Sequence, residues 1–425
     1  MNASDTHILP GHRRLLGAVF SVVALLAAGQ VAGQTVEQAA TRNFPPPGPD
    51  ILHTPTLTLI DPEFNRDKKM LTWVDSVSGD IWVAGYDFVT GAFIPANGKG
   101  TLIEAAVSTG GSYPGLGFTV NGPEWAQGTP TDYVVYTRTN ATGDPTPANS
   151  LIGVAYQNAD GSWTRKSLSS PQRNGPFGSI SRSGPAKISY QDGGGTHYVR
   201  TVTDPNSEEA LPGLTAAGLT PAARFVDNAN IVVYQLPIQG VQQSVAYNID
   251  TKVLTQLTFD AASKDQSWMF SAPEFGGALG LMTIVNKSTV TLYRPVVDPI
   301  TGATTYVEHA NAVAPQRGKW FSVEPFVYQG QTYMVAQLAP RGSSYPTSIW
   351  LAKFGSRTVL RQLTPNGLAT EARADPEVVP LANGVMVVYS KFDTTKCTPA
   401  DVSSWLCMQG LMGLFRADTG LPAPN

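Results

Sequence analysis

A chain of 425 residues, 14% charged and 42% hydrophobic, can bury a large core, and its 41 glycines and 33 prolines suit many turns between short strands. A formal net charge of −3 offers no basic face, which speaks against a general nucleic-acid binder. With only two cysteines there is no zinc-type cluster, and two of the five histidines stand before residue 13.

In chain order, His12-Arg13-Arg14 precedes an apolar run from Leu15 to Ala28 and then Val31-Ala32-Gly33. A charged start, a short apolar stretch and small residues at a cleavage point read as a signal peptide over residues 1–33. The run is short for a membrane span, which needs ~20 apolar residues, so no stable span is expected after cleavage. The expected location is secreted or periplasmic. Residues 34–53, with Phe44-Pro45-Pro46-Pro47-Gly48-Pro49, read as a Pro-rich leader, leaving 54–425 as the folded domain. Thr56-Leu57-Thr58-Leu59-Ile60 reads as a brief strand by alternation and β-branching.

A repeat begins here. Pro62-Glu63-Phe64 opens the first copy and Pro123-Glu124-Trp125 the second, which leads into Tyr133-Val134-Val135-Tyr136. Gly184-Pro185-Ala186 opens a degenerate third, and Ala223-Arg224-Phe225 opens a fourth before Ile231-Val232-Val233-Tyr234. Pro273-Glu274-Phe275, Glu324-Pro325-Phe326 and Pro376-Glu377-Val378 open the last three. A period near 50 residues, with several short strands in each unit, marks a β-propeller. A lone four-stranded blade cannot bury both faces, so blades must stack around an axis. The expected fold is all-β: a seven-bladed β-propeller of four-stranded blades. After Leu411–Arg416 the last copy has no further strand, so the N-terminal strand Thr56–Ile60 is expected to complete that blade and close the ring.

The copies resemble the TolB-type propeller repeat, in which a short innermost strand beginning near a proline leads to a polar turn. Asp61–Phe93 matches best; the fifth and seventh copies, preceded by Gln256-Leu257-Thr258 and Gln362-Leu363-Thr364, come next. The usual Ser-Pro-Asp-Gly turn is absent, being Asn65-Arg66-Asp67-Lys68 in the first copy. The resemblance implies a propeller scaffold and leaves its use open, since this fold serves scaffolds, lyases and peptidase appendages.

Glu63, Glu124, Glu274 and Glu377 come directly after the repeat proline, and Glu324 precedes it, so five carboxylates are expected around one channel mouth as the ligand-binding set. Carboxylates crowded this way repel one another and attract cations, a divalent ion such as calcium among them. The alternative is that each Glu caps backbone N–H groups of its repeat. Long loops at 137–150, 339–348 and 391–407 fall on the same face, with Tyr345, Asp401 and Trp405 as exposed candidates. Cys397 and Cys407 are expected to form a disulfide in an oxidising compartment, bracing the longest loop.

For catalysis, Glu124, Glu324 and Glu377 are candidate carboxylates of a glycosidase-like pair, and His197 in Thr196-His197-Tyr198-Val199-Arg200 is a candidate lyase base. Val323–Tyr328 and Asp375–Val378 loosely resemble acid and aspartate motifs of five-bladed arabinan-type glycosidases, from which a count of seven departs. The favoured expectation is an exported, monomeric, non-catalytic propeller binding a ligand or protein partner at the Glu-rich face. A carbohydrate-active hydrolase or lyase is the alternative.

Overall fold

The computed structural model describes residues 47–423, apart from 55, 106–121, 139–149, 169–172, 181, 193–195, 214–222, 228, 343–345 and 397–409. Seven antiparallel sheets succeed one another along the chain. Their innermost strands are Leu59–Asn65, Glu124–Ala126, Arg173–Gly178, Arg224–Phe225, Lys264–Ser271, Lys319–Tyr328 and Glu371–Leu381. Each inner strand pairs with the next strand in sequence, and each blade packs on the blades before and after it, with blade 7 against blade 1. This is the seven-bladed propeller that the repeat predicts.

Burial tracks strand position. Middle strands are covered on both faces by neighbouring blades, so Gly384–Asp393 and Gln331–Ala339 run nearly unbroken as buried residues. Outer strands face solvent, as Trp163–Ser167 and Val253–Gln256 do. The apolar core is divided accordingly among the interfaces between blades. One cluster joins Trp268 and Met282 of blade 5 to Trp320 and Met334 of blade 6, and another joins Leu59 and Trp73 of blade 1 to Val379 and Val388 of blade 7. Each such side chain contributes ~1.5–3 kcal/mol by burial, so the ring is held by its interfaces as much as by its sheets.

Five inner strands carry a bulge of one extra residue, between Ile60 and Glu63, Asn174 and Phe177, Lys264 and Ser267, Phe321 and Glu324, and Ala374 and Glu377. Its first residue is left-handed in four of them: Asp61 at φ 54°, Gly175 at 58°, Ser322 at 40° and Asp375 at 55°. A bulge re-aims the side chains beside it and is common next to functional sites.

Three expectations are corrected. The strand that closes the ring is Ile51–Leu52, pairing with Phe415 and Arg416, and not Thr56–Ile60. It lies within the stretch read as leader, and Leu59 and Ile60 instead begin the inner strand of blade 1. Anchoring comes from the residue before it: Asp50 accepts hydrogen bonds from Arg373 Nε at 2.8 Å, Arg373 Nη2 at 2.6 Å, Tyr389 Oη at 2.7 Å and Lys391 Nζ at 2.7 Å. In the third copy, Lys187–Asp192 after Gly184-Pro185 is the second strand; the inner strand is Arg173–Gly178. In the fifth, Pro273–Phe275 is a 3-10 turn between the first and second strands, closed by left-handed Gly276 at φ 67°.

Blade 1 differs at its rim. Its third strand, Ile81–Asp87, pairs with both Ala92–Ile94 and Thr101–Glu104, which share the outer position. Among the described residues no helix is long and apolar enough to cross a membrane.

Candidate functional site

Pairing to the second strand fixes equivalent positions around the channel. Glu63 lies opposite Thr72, Glu124 opposite Val135, Phe177 opposite Ser189, Arg224 opposite Val233, Ser267 opposite Thr283, Glu324 opposite Val335 and Glu377 opposite Val388. In ring order from blade 6, this level reads Glu324, Glu377, Glu63, Glu124, Phe177, Arg224, Ser267. Four adjacent blades therefore give an acidic crescent and the other three give the facing wall. The level falls near the middle of the inner strands of blades 6 and 7, inside the channel and away from its mouth.

The crescent is deepened by two bulge residues. Burial, reinforced by the neighbouring Asp375 carboxyl, pushes Asp61 well above the usual carboxylate range. Asp61 Oδ2 accepts the N–H of Gly122, and a Cβ at Gly122 would stand 2.3 Å from that oxygen. Only glycine lets blade 2 approach so closely.

All four glutamates are half-buried: water reaches them, but protein surrounds them. Burial, reinforced by the neighbouring carboxylates, pushes Glu63 and Glu377 well above the usual carboxylate range. Burial raises Glu124 to about 8 and Glu324 to about 7, although the Arg224 charge opposes the rise in both. Near neutral pH the crescent thus holds both proton donors and acceptors.

The facing wall is built around Arg224. Its guanidinium lies 4.6 Å from the ring of Phe177 in blade 3 and 5.1 Å from that of Trp268 in blade 5. A side chain from blade 4 that touches the inner strands of both neighbours must stand on the channel side.

Of the five predicted glutamates, Glu63, Glu124, Glu324 and Glu377 share the channel, and Glu274 does not. Glu274 accepts bonds from Thr332 N–H, from Thr332 Oγ1 at 2.7 Å and from Gln331 Nε2, tying the turn of blade 5 to blade 6. It is a backbone cap, the alternative role for these glutamates. Glu63, Glu324 and Glu377 accept no backbone N–H bond among the described residues, so capping does not account for them.

His197 stands apart from the crescent. It sits in the third strand of blade 3, is 1% exposed, and burial lowers its pKa to about 4 against the opposing charge of Asp192. Its neighbour Tyr198 faces the other way, donates to Asp192 and lies under Arg173 at 4.0 Å. Cys397, Cys407, Tyr345, Asp401 and Trp405 lie outside the described residues. Among the described residues no group of three or more His, Cys, Asp or Glu is arranged to hold a metal ion.

Asp61, Asp375 and Arg224 are site residues that sequence reasoning misses. The signals are present: Asp-Pro-Glu occurs at both Asp61–Glu63 and Asp375–Glu377, and Arg224 occupies the Glu position of its copy.

No family model matches the sequence, and no curated protein matches it. Among solved structures, TolB from Acinetobacter baumannii is similar at 14% identity, over 81% of this chain and 77% of that one, with a TM-score of 0.38. The complex of KlAtg21 with the coiled coil of AgAtg16 is similar at 10% identity, over 79% of this chain and 94% of that one, with a TM-score of 0.45. The fold assignment rests on the seven sheets and their cyclic contacts.

Proposed function

We propose that this chain is an exported binding protein whose ligand site is the acidic crescent inside the channel, and that the ligand presents an organic ammonium group to it. The observation that carries this reading is the set of four glutamates at one level of four adjacent blades, three of them without a backbone cap. Such a field concentrates cations at the channel. Half-protonated carboxyls can grip an ammonium group and its polar neighbours with charge-assisted bonds. A bare divalent ion suits the arrangement less, because the carboxylates are spread over four blades.

The test is a thermal melt of the mature protein at pH 8 with putrescine, calcium, and neutral and acidic oligosaccharides. Selective binding raises the melting temperature by mass action, by ~2.7 kcal/mol of stability at a hundredfold excess over Kd. A rise with putrescine that Glu63→Gln with Glu377→Gln removes supports the reading. A rise with an oligosaccharide alone would replace it with the carbohydrate-active reading, and a rise with calcium alone with a metal site. No rise with any of them would overturn ligand binding in the channel.

A further inference from the structure

Arg224 gives the channel a second pole. Its guanidinium lies over the rings of Phe177, at 4.6 Å, and Trp268, at 5.1 Å, two cation–π contacts that position the charge and use none of its N–H groups. Among the described residues Arg224 makes no hydrogen bond and no ion pair, although it shares the channel with four glutamates.

The inner strand of blade 5, next to Arg224, carries two buried polar atoms that are unpaired among the described residues. Trp268 is 7% exposed and its indole Nε1–H has no acceptor; Gln266, two residues earlier on the inner strand of blade 5, has a buried Oε1 with no donor. Buried polar atoms are nearly always paired, so two such atoms on one inner strand, one of them on the ring that Arg224 touches, mark a place where an outside group is expected. Trp268 supplies a donor and Gln266 an acceptor, as a polar ligand would need.

We infer that the channel binds a small zwitterion of the amino-acid or short-peptide class, its ammonium group in the Glu63–Glu124–Glu324–Glu377 crescent and its carboxylate on the fork of Arg224. This rests on the proposed ligand site and adds to it a second charge of opposite sign. A carboxylate takes two parallel bonds from a guanidinium edge, a geometry that an amide cannot reproduce. The crescent disfavours simple anions and Arg224 weakens the hold on simple cations, so a ligand with both charges is held more tightly than either.

The experiment uses the mature full chain and calorimetric titration with triglycine, N-acetyl-triglycine, triglycine amide and putrescine. Triglycine is expected to bind at least about tenfold more tightly than either blocked peptide, one charge-assisted contact being lost in each. Arg224→Gln should abolish the preference for free acid over amide, and Arg224→Lys should restore part of it. If the amide binds as tightly as the free acid, the anion pole is wrong and the ammonium site stands. If the acetylated peptide binds as tightly as triglycine, the ammonium pole and with it the zwitterion are wrong. If neither the peptides nor putrescine binds, the ligand site itself falls. The comparison of peptides on the unmodified protein decides between these outcomes even where a variant fails to fold.

Discussion

Glu63 and Glu377 keep their protons to higher pH than they would in an unfolded chain. Their folded pKa lies above the unfolded value, so their contribution to stability is complete below about pH 4.5 and fades as pH rises. Glu324 and Glu124 behave in the same sense and lose theirs through about 7 and about 8. The melting temperature of the ligand-free protein is therefore expected to fall between pH 5 and pH 8. Glu377→Gln, which removes one charge from the crowd, should raise it at pH 8 by ~2–4 °C, the effect of about 1 kcal/mol, and by less at pH 5. A melting temperature unchanged at both pH values would mean that the crescent is better solvated than its geometry indicates. Much of the crescent is legible in the sequence: a Glu beside a proline in successive copies names its four residues. Its counter-charge is only half legible: Arg224 occupies the Glu position of the fourth copy, but its meaning waits on the register that puts it at the same level as the glutamates.

The elements show why a motif alone misleads. Pro62-Glu63-Phe64 and Pro273-Glu274-Phe275 are the same tripeptide, yet the first lies in an inner strand and the second in a turn. The next residues decide between them: Asn65 continues the strand, whereas Gly276 and Gly277 take φ of 67° and 86° and reverse the chain. Glu274 therefore caps the neighbouring blade. Glu274→Gln is expected to lower stability by ~1–2 kcal/mol through weakened bonds to Thr332, while leaving titration of the channel with putrescine unchanged. A change in that titration would put Glu274 back in the site. The third copy misleads for a related reason. Gly184-Pro185 imitates the repeat start, while the true inner strand begins with Arg173-Asn174-Gly175-Pro176, which matches Asn121-Gly122-Pro123 of the second copy.

For the whole molecule, the count of blades is legible because seven starts recur, and closure of the last blade by an N-terminal strand is legible too, but which residues form that strand is not. Ile51–Leu52 is only two residues long and comes after a Pro-rich stretch, so nothing in its own pattern announces a strand. Its place is set by Asp50, which is drawn into blade 7. Burial there raises its pKa, but Arg373, Lys391 and Tyr389 outweigh it and hold the carboxyl at about 2. A depressed carboxylate stabilises above its unfolded pKa, near 4, and that stability is lost as pH falls to about 2. Asp50→Asn leaves Arg373, 1% exposed, with Glu371 as its remaining carboxylate, so a loss near the lower end of ~3–5 kcal/mol is expected in chemical denaturation. A loss below about 1 kcal/mol would show that the ring stays closed without this anchor.

The anchor also orders events in time. Asp50 and Arg373 are 323 residues apart, so at ~5–20 residues per second the partner is made on the order of half a minute after the carboxylate has left the ribosome. Six blades can assemble as they appear, but the seventh must wait for both ends of the chain. An unclosed edge is thus exposed for most of the life of the nascent chain, and that interval is when a chaperone has a natural point of hold.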